Sequence, residues 1–245
     1  QFRMGTPKQL LDEIGELIKL GVREVFDDTG TFPIGKWLDD FCHGMIERGY
    51  HKKIKFGCNM RPNAIGDQKV YNLMGKAGFR FILYGLESAN QKSLDRLNKG
   101  EKEGDIIKGT SMAKHGGLEP HVTCMVGYPW ESEKEAQQTI NLTRSLFDKG
   151  YIDTLQATIV IPYPGTGLFS EAKKEGWLKT KNWDHYDMRE PILKSPIPNE
   201  RIMELTQGIY SSFLTPKFIL RKLFSIRNTD DISYYLVRGS QYIFG

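Results

Sequence analysis

Five short apolar runs, rich in β-branched and aromatic residues, recur along the chain and alternate with longer segments of helical periodicity. The runs cover residues 22–26, 54–58, 79–84, 121–126 and 154–161. The helical segments cover residues 7–20, 36–48, 67–77, 102–115 and 132–149. Strands that alternate with helices form βαβ units, in which right-handed crossovers build a parallel sheet. The alternation therefore predicts an α/β fold.

The predicted helices carry recognisable start and stop signals. Thr6 followed by Gln9 forms a capping box before the first helix, and a glycine follows each of the five helices. Two further helices are predicted over residues 168–175 and 200–214, with an irregular, proline-bearing segment at 177–198 between them. No GxGxxG motif follows the first strand, so a barrel or part-barrel is favoured over a doubly wound dinucleotide-binding sheet.

Composition limits the class of protein. The chain is 39% hydrophobic and 26% charged, and its formal net charge of +4 is too small to indicate nucleic-acid binding. No run reaches the roughly 18 consecutive apolar residues of a membrane-spanning helix, and the N-terminus lacks the apolar core of a signal peptide. We therefore expect a cytoplasmic protein that has no transmembrane segment and does not bind nucleic acid.

Three cysteines, Cys42, Cys58 and Cys124, lie far apart in the sequence. An odd number at wide spacing fits neither a disulfide framework nor a local metal knuckle. Cys58 and Cys124 are expected inside strands, where a buried thiol acts as a small apolar side chain. The sequence also contains no Walker loop, HExxH or GxSxG motif, so these classes of active site are not indicated.

Polar, glycine-bearing or proline-bearing residues follow all five predicted strands. In parallel α/β folds these strand ends share one rim, where the helices begin and expose unpaired N–H groups. The residues are Asp27, Asp28 and Thr29; Asn59, Met60 and Arg61; Gly85, Leu86, Glu87 and Ser88; Gly127, Tyr128, Pro129, Trp130 and Glu131; and Pro162, Tyr163, Pro164, Gly165 and Thr166. Simpler interpretations are loop caps at Asp27 and Asp28, a surface guanidinium at Arg61, and a helix cap at Glu87 or Ser88. Five such ends on one face favour a binding site.

The residue types on this rim indicate the kind of ligand. Asp28 and Glu87 offer acceptors for hydroxyls and amines, and Arg61 offers a donor fork for a carboxylate. Glycines allow close backbone approach, and the aromatic side chains offer flat surfaces. This inventory suits a ligand with ribose hydroxyls, an amino acid moiety and a flat base.

Taken in order, these strand-end motifs resemble the radical S-adenosylmethionine (radical SAM) superfamily. The stretches are DDTGTF, CNMRPNAI, YGLESANQKSLDRLNKG, VGYPWESEKE and IPYPGTGLF. The nearest resemblance is to the cobalamin-binding-domain branch, which includes anaerobic magnesium-protoporphyrin cyclase-like and methyltransferase-like enzymes, and it runs from about Arg3 to about Trp183. It implies a partial (β/α)6 barrel. Residues 1–180 would form units two to six of this barrel, and residues 181–245 an irregular segment and a helical C-terminal extension.

The resemblance also implies a cofactor-binding role at each strand end. The end that holds the amino group of S-adenosylmethionine is matched by Asp27, Asp28 and Thr29. The motif that contacts the ribose or the methionyl group is matched by Gly85, Glu87 and Ser88, and the following glycine-glutamate motif by Val126, Gly127 and Glu131. The segment beside adenine is matched by Ile161, Tyr163 and Gly165, and Arg61 lies at the remaining strand end.

One feature of the family is missing from the sequence, the CxxxCxxC loop that holds a [4Fe-4S] cluster after the first strand. Cys42, Cys58 and Cys124 cannot replace it, because they belong to different elements and cluster ligation uses thiolates on one short loop. We expect the first strand and this loop to lie upstream of Gln1, beside a cobalamin-binding domain, and the chain by itself to be inactive. The resemblance implies reductive cleavage of S-adenosylmethionine for radical methyl transfer, cyclisation or related chemistry, with an electron donor and a small-molecule substrate that the sequence does not identify.

Two alternatives stay open at this point. A (β/α) barrel lyase or aldolase would need a strand-end lysine or a metal-binding set, and no lysine lies at any of the five ends. A degenerate, non-catalytic barrel would act as a binding module, with the basic residues 216–245 docking a partner domain or a membrane face. Replacing Glu87 with alanine distinguishes a ligand contact from a helix cap. Loss of a cap costs about 1 kcal/mol of stability and no ligand affinity, whereas loss of a ligand contact weakens binding.

Overall fold

The computed structural model of the protein describes residues 4–211 and Leu220. Apart from Leu220, the basic segment 216–245 therefore lies outside the described residues, as do the end of the helix predicted over 200–214 and about half of the predicted C-terminal segment 181–245. Within them, the helices are interleaved with a single sheet of five strands.

The sheet is parallel throughout, and its strands are ordered β1-β2-β3-β4-β5, as in the sequence. The strands are Glu24–Asp27 (β1), Lys55–Asn59 (β2), Phe79–Glu87 (β3), Glu119–Val126 (β4) and Thr154–Ile159 (β5). All five predicted strands are thus confirmed, with ends that move by up to three residues. A doubly wound sheet would reverse its strand order at a switch point, whereas an uninterrupted order is that of a partial barrel.

Helices follow the strands as the periodicity predicts. They are Pro7–Lys19 (α1), Lys36–Glu47 (α2), Gln68–Lys76 (α3), Gln91–Arg96 (α4), Asp105–His115 (α5), Glu133–Asp148 (α6), Gly167–Lys174 (α7) and Asn199–Ser211 (α8). The predicted capping box at Thr6 is present: its hydroxyl accepts from the Gln9 amide, and the Gln9 side chain accepts from the Thr6 amide. Ser132 and Glu135 form a second capping box at α6.

The two faces of the sheet differ. Along β3 and β4, alternate residues such as Tyr84 and Cys124 are fully buried, and the Tyr84 hydroxyl is 2.9 Å from that of Tyr71 on α3. This face lies under the helices. The residues between them, including Leu83, Gly85 and Thr123, are only half-buried and line an open cavity. The pleat of the strands therefore sends one set of side chains to the core and the other to the concave face.

The segment after the barrel packs into the same core. Leu178 and Leu193 form an antiparallel bridge, and Ile197, Ile202 and Ile209 are buried in the cluster that also contains the strand residues. The irregular segment and the described part of α8 therefore share the hydrophobic core of the barrel. The division of the chain into residues 1–180 and 181–245 stays a prediction.

Within residues 4–211, every helix is too short or too polar to cross a lipid bilayer.

Candidate functional site

A cavity of about 440 Å³ opens at the carboxyl ends of β1, β2 and β3 and reaches Thr123 within β4. Twelve residues line it, and five of them carry charge. The lining residues are Asp28, Gly30, Thr31, Asn59, Met60, Arg61, Leu83, Gly85, Glu87, Lys99, Glu101 and Thr123. The cavity thus brings together four of the residues predicted to bind the cofactor, Asp28, Arg61, Gly85 and Glu87, with the rim residues Asn59 and Met60.

Asp28 lies just past the end of β1, and its carboxylate is held from the neighbouring strand. Asn59 Nδ2, at the end of β2, donates a hydrogen bond to Asp28 Oδ1 at 3.0 Å. This bond orients the Asp28 carboxylate over the cavity mouth and leaves its second oxygen for a ligand.

Glu87 occupies an unusual backbone position. It ends β3 with a φ of 58°, a left-handed conformation that is costly for a residue with a side chain. The pairing of β3 with β4 shifts register between Gly85 and Glu87, which turns the Glu87 side chain back over the strand. A Cβ on residue 85 would lie 2.5 Å from Glu87 Oε1, so the folded-back carboxylate requires glycine there.

A lysine from outside the strand ends pairs with Glu87. Lys99 follows α4, and its Nζ lies 2.9 Å from Glu87 Oε1. Arg61 Nη1 donates to the backbone carbonyl of Lys99 at 3.0 Å, and Asn63 Nδ2 donates to that of Gly100 at 2.9 Å. These bonds fix the loop after α4 to the loop after β2, and each of these loops contributes one cationic residue to the cavity lining.

Two carboxylates in the cavity are not fully satisfied. Glu87 Oε2 and Glu101 Oε1 are buried and have no hydrogen-bond partner within the described part of the chain. Glu101 is 5% exposed, and its burial raises the pKa of its carboxyl, while the nearby Lys99 and Arg61 lower it. A buried acceptor without a donor is rare in native proteins and marks a place where a ligand can bind.

Ser88 and Glu131 also come together, but in a closed cluster away from the cavity lining. The hydroxyls of Ser88 and Ser93 both donate to Glu131 Oε1, the latter at 2.6 Å. Glu131 is 1% exposed, and burial raises the pKa of its carboxyl, whereas the two serine hydroxyls lower it. Its Oε2 has no partner among the described residues. The cluster ties the loop after β3 to the loop after β4.

Asn90 is the cap of α4. Its side chain accepts from the Ser93 amide, and the Ser88 hydroxyl accepts from the Asn90 amide. Glu87 therefore does not cap this helix, and the simpler interpretation of Glu87 does not hold.

The ends of β4 and β5 are packed against the protein itself. Val126 is fully buried, and a Cβ on Gly127, which has a φ of +100°, would lie 3.2 Å from Ile202 on α8. The Tyr128 ring is buried and stacks on Trp130 with ring centres 5.1 Å apart.

The three candidate residues after β5 differ in how far they are exposed to solvent. Ile161 is 8% exposed, whereas Tyr163 is 41% exposed. Gly165, at a φ of +87°, has no atom within 4 Å of where a Cβ would be. These three residues do not line the cavity.

Asp27 and Thr29 lie outside the cavity. Asp27 Oδ1 accepts from the backbone amide of Thr29 at 3.0 Å and from its hydroxyl, forming a tight turn. Asp27 lines a smaller groove on the helix side of β1, with Leu10 and Ile14 of α1. Because side chains alternate along a strand, Asp27 and Asp28 face opposite sides of the sheet.

Sequence reasoning missed two of the charged cavity residues, Lys99 and Glu101. Both follow the short helix α4 rather than a strand, so a search of strand ends does not find them. The signal that does is the stretch NKGE at residues 98–101, where Asn98 and Gly100 both have positive φ and reverse the chain. Lys99 lies after α4 and not at a strand end, so the lack of a strand-end lysine in the sequence does not exclude a lysine from the cavity.

The cysteines do not form a site. Cys42, Cys58 and Cys124 are fully buried on α2, β2 and β4. Burial raises the pKa of Cys42 and of Cys124 to about 12. Residues 4–211 contain no group of three or more His, Cys, Asp or Glu side chains placed to hold a metal ion.

Two proteins of known sequence match about nine tenths of this chain. An uncharacterized methyltransferase of Pyrococcus horikoshii is 29% identical over 229 residues, which cover 91% of this chain and 48% of the relative. The anaerobic magnesium-protoporphyrin IX monomethyl ester cyclase of Cereibacter sphaeroides is 25% identical over 90% of this chain and 35% of its own. The chain therefore spans half or less of the length of these relatives.

A solved structure shares the fold. The methyltransferase TsrM of Kitasatospora setae, determined with cobalamin and a [4Fe-4S] cluster bound, superposes with a TM-score of 0.60 at 14% identity, over 71% of this chain and 32% of its own. The sequence model of the radical SAM superfamily matches residues 1–143. With the parallel sheet and the rim cavity described above, this match establishes that the chain belongs to the radical SAM superfamily.

Proposed function

We propose that the rim cavity binds S-adenosylmethionine and that the whole protein is a radical SAM enzyme of the cytoplasm that carries out methyl transfer, cyclisation or a related reaction. The observation that carries the proposal is the cavity itself. It combines two cations with three carboxylates, and two of the carboxylates have a buried oxygen with no hydrogen-bond partner in the part of the chain that the structure describes. The names of the relatives, a methyltransferase and a cyclase, support the reaction class.

The residues present fit this ligand. Arg61 and Lys99 would hold the carboxylate of the methionyl part, since both are cationic donors that line the cavity. Asp28 and Glu87 would accept from the ammonium group or the ribose hydroxyls. Gly85 leaves room for the folded-back Glu87 side chain. The nine other sequence-predicted residues stay predictions: Asp27, Thr29, Ser88, Val126, Gly127, Glu131, Ile161, Tyr163 and Gly165.

The described residues do not fit a [4Fe-4S] cluster. Cluster ligation needs thiolates close together, whereas Cys42, Cys58 and Cys124 lie on separate elements and burial raises the pKa of each thiol. We place the cluster ligands of the whole protein outside this sequence, together with a cobalamin-binding domain and the docking site of an electron donor. The cobalamin in the TsrM structure supports that domain.

This chain's own share of the reaction is binding and orientation. In this family, bound S-adenosylmethionine supplies the group that reacts, either its methyl group or its 5′-deoxyadenosyl group. The fixed loop after α4 and the bonded Asp28–Asn59 pair hold their polar groups in place before the ligand arrives, which reduces the entropy lost on binding. The methyl-accepting or cyclising substrate is not identified by any residue of the cavity.

Glu87→Ala tests the proposal in the full-length protein. We expect the dissociation constant for S-adenosylmethionine, measured by calorimetry without reductant, to rise about tenfold, because the variant loses an acceptor in the cavity. The free energy of unfolding should change by less than about 1 kcal/mol, since Glu87 caps no helix and its ion pair is partly exposed.

Glu47→Ala is the matched control, because Glu47 ends α2 on the exposed surface. It should leave the affinity unchanged. Equal affinity of wild type and Glu87→Ala would remove Glu87 from the site, and a wild type that binds no S-adenosylmethionine would overturn the proposed function in favour of a degenerate barrel.

A further inference from the structure

Side chains from the loop after β2 and from α4 hold the backbone of the segment 99–101. Besides the bonds from Arg61 and Asn63 to the carbonyls of Lys99 and Gly100, Gln91 Nε2 donates to the Glu101 carbonyl at 3.0 Å. Three consecutive carbonyls are thus bound from outside the segment. A loop fixed in this way gives its side chains defined directions.

The carboxylate of Glu101 lines the cavity but uses neither of the nearby cations. Lys99 Nζ pairs with Glu87 Oε1, and the bond described for Arg61 goes to a backbone carbonyl. Glu101 Oε1 is buried with no hydrogen-bond partner among the described residues, and the residue as a whole is 5% exposed. A buried, unpartnered carboxylate is destabilising unless a donor or a cation reaches it.

Glu101 also sets the charge of the cavity. Asp28, Glu87 and Glu101 stand against Arg61 and Lys99, so the cavity carries one net negative charge when all five are ionised. S-adenosylmethionine carries one net positive charge at neutral pH, because its sulfonium and ammonium outweigh its carboxylate. Its thioether product, S-adenosylhomocysteine, has no sulfonium and is neutral overall. Inside a partly desolvated cavity, one unit of charge strongly affects affinity.

We infer that Glu101 is a specificity residue that makes the cavity prefer the sulfonium cation of S-adenosylmethionine over the neutral thioether. This inference rests on the proposed function, since it assumes that the cavity binds S-adenosylmethionine. Without Glu101 the cavity charges cancel, and the electrostatic preference for a cation is lost. The pKa of Glu101 agrees with this role: burial raises it in the free protein, and an arriving cation would favour the ionised form.

The test compares two ligands in the full-length protein without reductant, so that no turnover occurs. Dissociation constants for S-adenosylmethionine and S-adenosylhomocysteine are measured by calorimetry for wild type and for Glu101→Gln, which keeps the shape of the side chain and removes its charge. We expect S-adenosylmethionine to bind about tenfold more weakly to the variant and S-adenosylhomocysteine to bind within about twofold of wild type.

Two further variants complete the design. Glu103→Gln removes an exposed charge from the same loop while keeping an acceptor for the Gln91 amide, and should change neither affinity. Glu101→Asp retains the charge and should keep the preference within about threefold of wild type, which also covers the case that Glu101→Gln does not fold.

The outcomes separate the inference from the proposed function. If Glu101→Gln weakens both ligands equally, or neither, or if Glu101→Asp loses the preference while folded, Glu101 does not read the sulfonium and the inference is wrong, while the cavity remains the binding site. If wild type binds neither ligand, both the proposed function and the inference are wrong.

Discussion

The two halves of the rim use their polar groups differently. The cavity half, residues 28–31, 59–61, 85–87 and 99–101, directs charged side chains into open space, and two carboxylate oxygens there lack partners among the described residues. The residues of the packed half, 126–131 and 159–165, mostly pack against other parts of the chain, as Gly127 does against Ile202. Glu131 Oε2 is also without a described partner, but its other oxygen accepts from two serines. A place at a strand end therefore does not by itself make a side chain available to a ligand.

The largest expected effect concerns the packed half. Ile202→Ala should lower the free energy of unfolding by about 3–4 kcal/mol. The Ile202 side chain on α8 is fully buried against Gly127 at the β4 end, and its truncation leaves a cavity. Urea denaturation measures this loss. Gln207→Ala, on the exposed side of the same helix, is the control and should cost little. A loss below 1 kcal/mol for Ile202→Ala would mean that α8 does not stabilise this half.

The next effect belongs to the cavity half. Gly85→Ala should weaken S-adenosylmethionine binding up to about tenfold, because the added methyl would lie 2.5 Å from Glu87 Oε1 and must displace that carboxylate from Lys99. Calorimetry measures the affinity, and urea denaturation checks that stability changes by less than about 1 kcal/mol. Gly104→Ala, at a position with nothing within 4 Å of its Cβ, is the matched control. Unchanged affinity would show that the position of the Glu87 carboxylate does not matter for binding.

Much of this architecture is predictable from the sequence, but the two halves differ in how far. The strands and the helix order follow from local patterns, and Glu87 and Arg61 reach the cavity from strand ends as expected. Asp27 does not reach the cavity. It is the last residue of β1, one residue past the predicted apolar run, and successive side chains of a strand point to opposite faces of the sheet.

The NKGE stretch marks the loop that carries Lys99 and Glu101, but local sequence does not give the directions of their side chains. Their directions depend on bonds from Arg61 and Asn63, 38 and 37 residues away in the chain. Whether a rim residue is closed off is equally non-local, since Gly127 is covered by Ile202 of α8. Pattern reasoning finds the strand ends, whereas tertiary contacts decide which of them stay open.

A smaller effect probes the buried carboxyl of the packed half through pH. Burial raises the pKa of Glu131 above its ordinary value of 4.5, so the folded state binds this proton more tightly than the unfolded chain does. The stability of wild type relative to Glu131→Gln should therefore fall as pH rises from the unfolded pKa through the raised folded pKa. Urea denaturation of both proteins across this range measures the difference. A difference that grows with rising pH would mean that Glu131 is stabilised as a carboxylate.

The smallest expected effect tests the boundary between the halves at Tyr163. Its ring is 41% exposed although it belongs to the packed half, and its carbonyl accepts from both the amide and the hydroxyl of Thr166, contacts that alanine would keep. Tyr163→Ala should therefore change the free energy of unfolding by less than about 0.5 kcal/mol. If the ring lies beside adenine, S-adenosylmethionine and S-adenosylhomocysteine should both bind about threefold more weakly, since both carry the base, whereas Glu101→Gln affects only the first. Trp183→Ala, which removes another exposed ring, is the control and should alter neither. We expect the paired loss, which would extend the ligand site onto the packed half; unchanged affinities would confine it to the β1–β3 side of the rim.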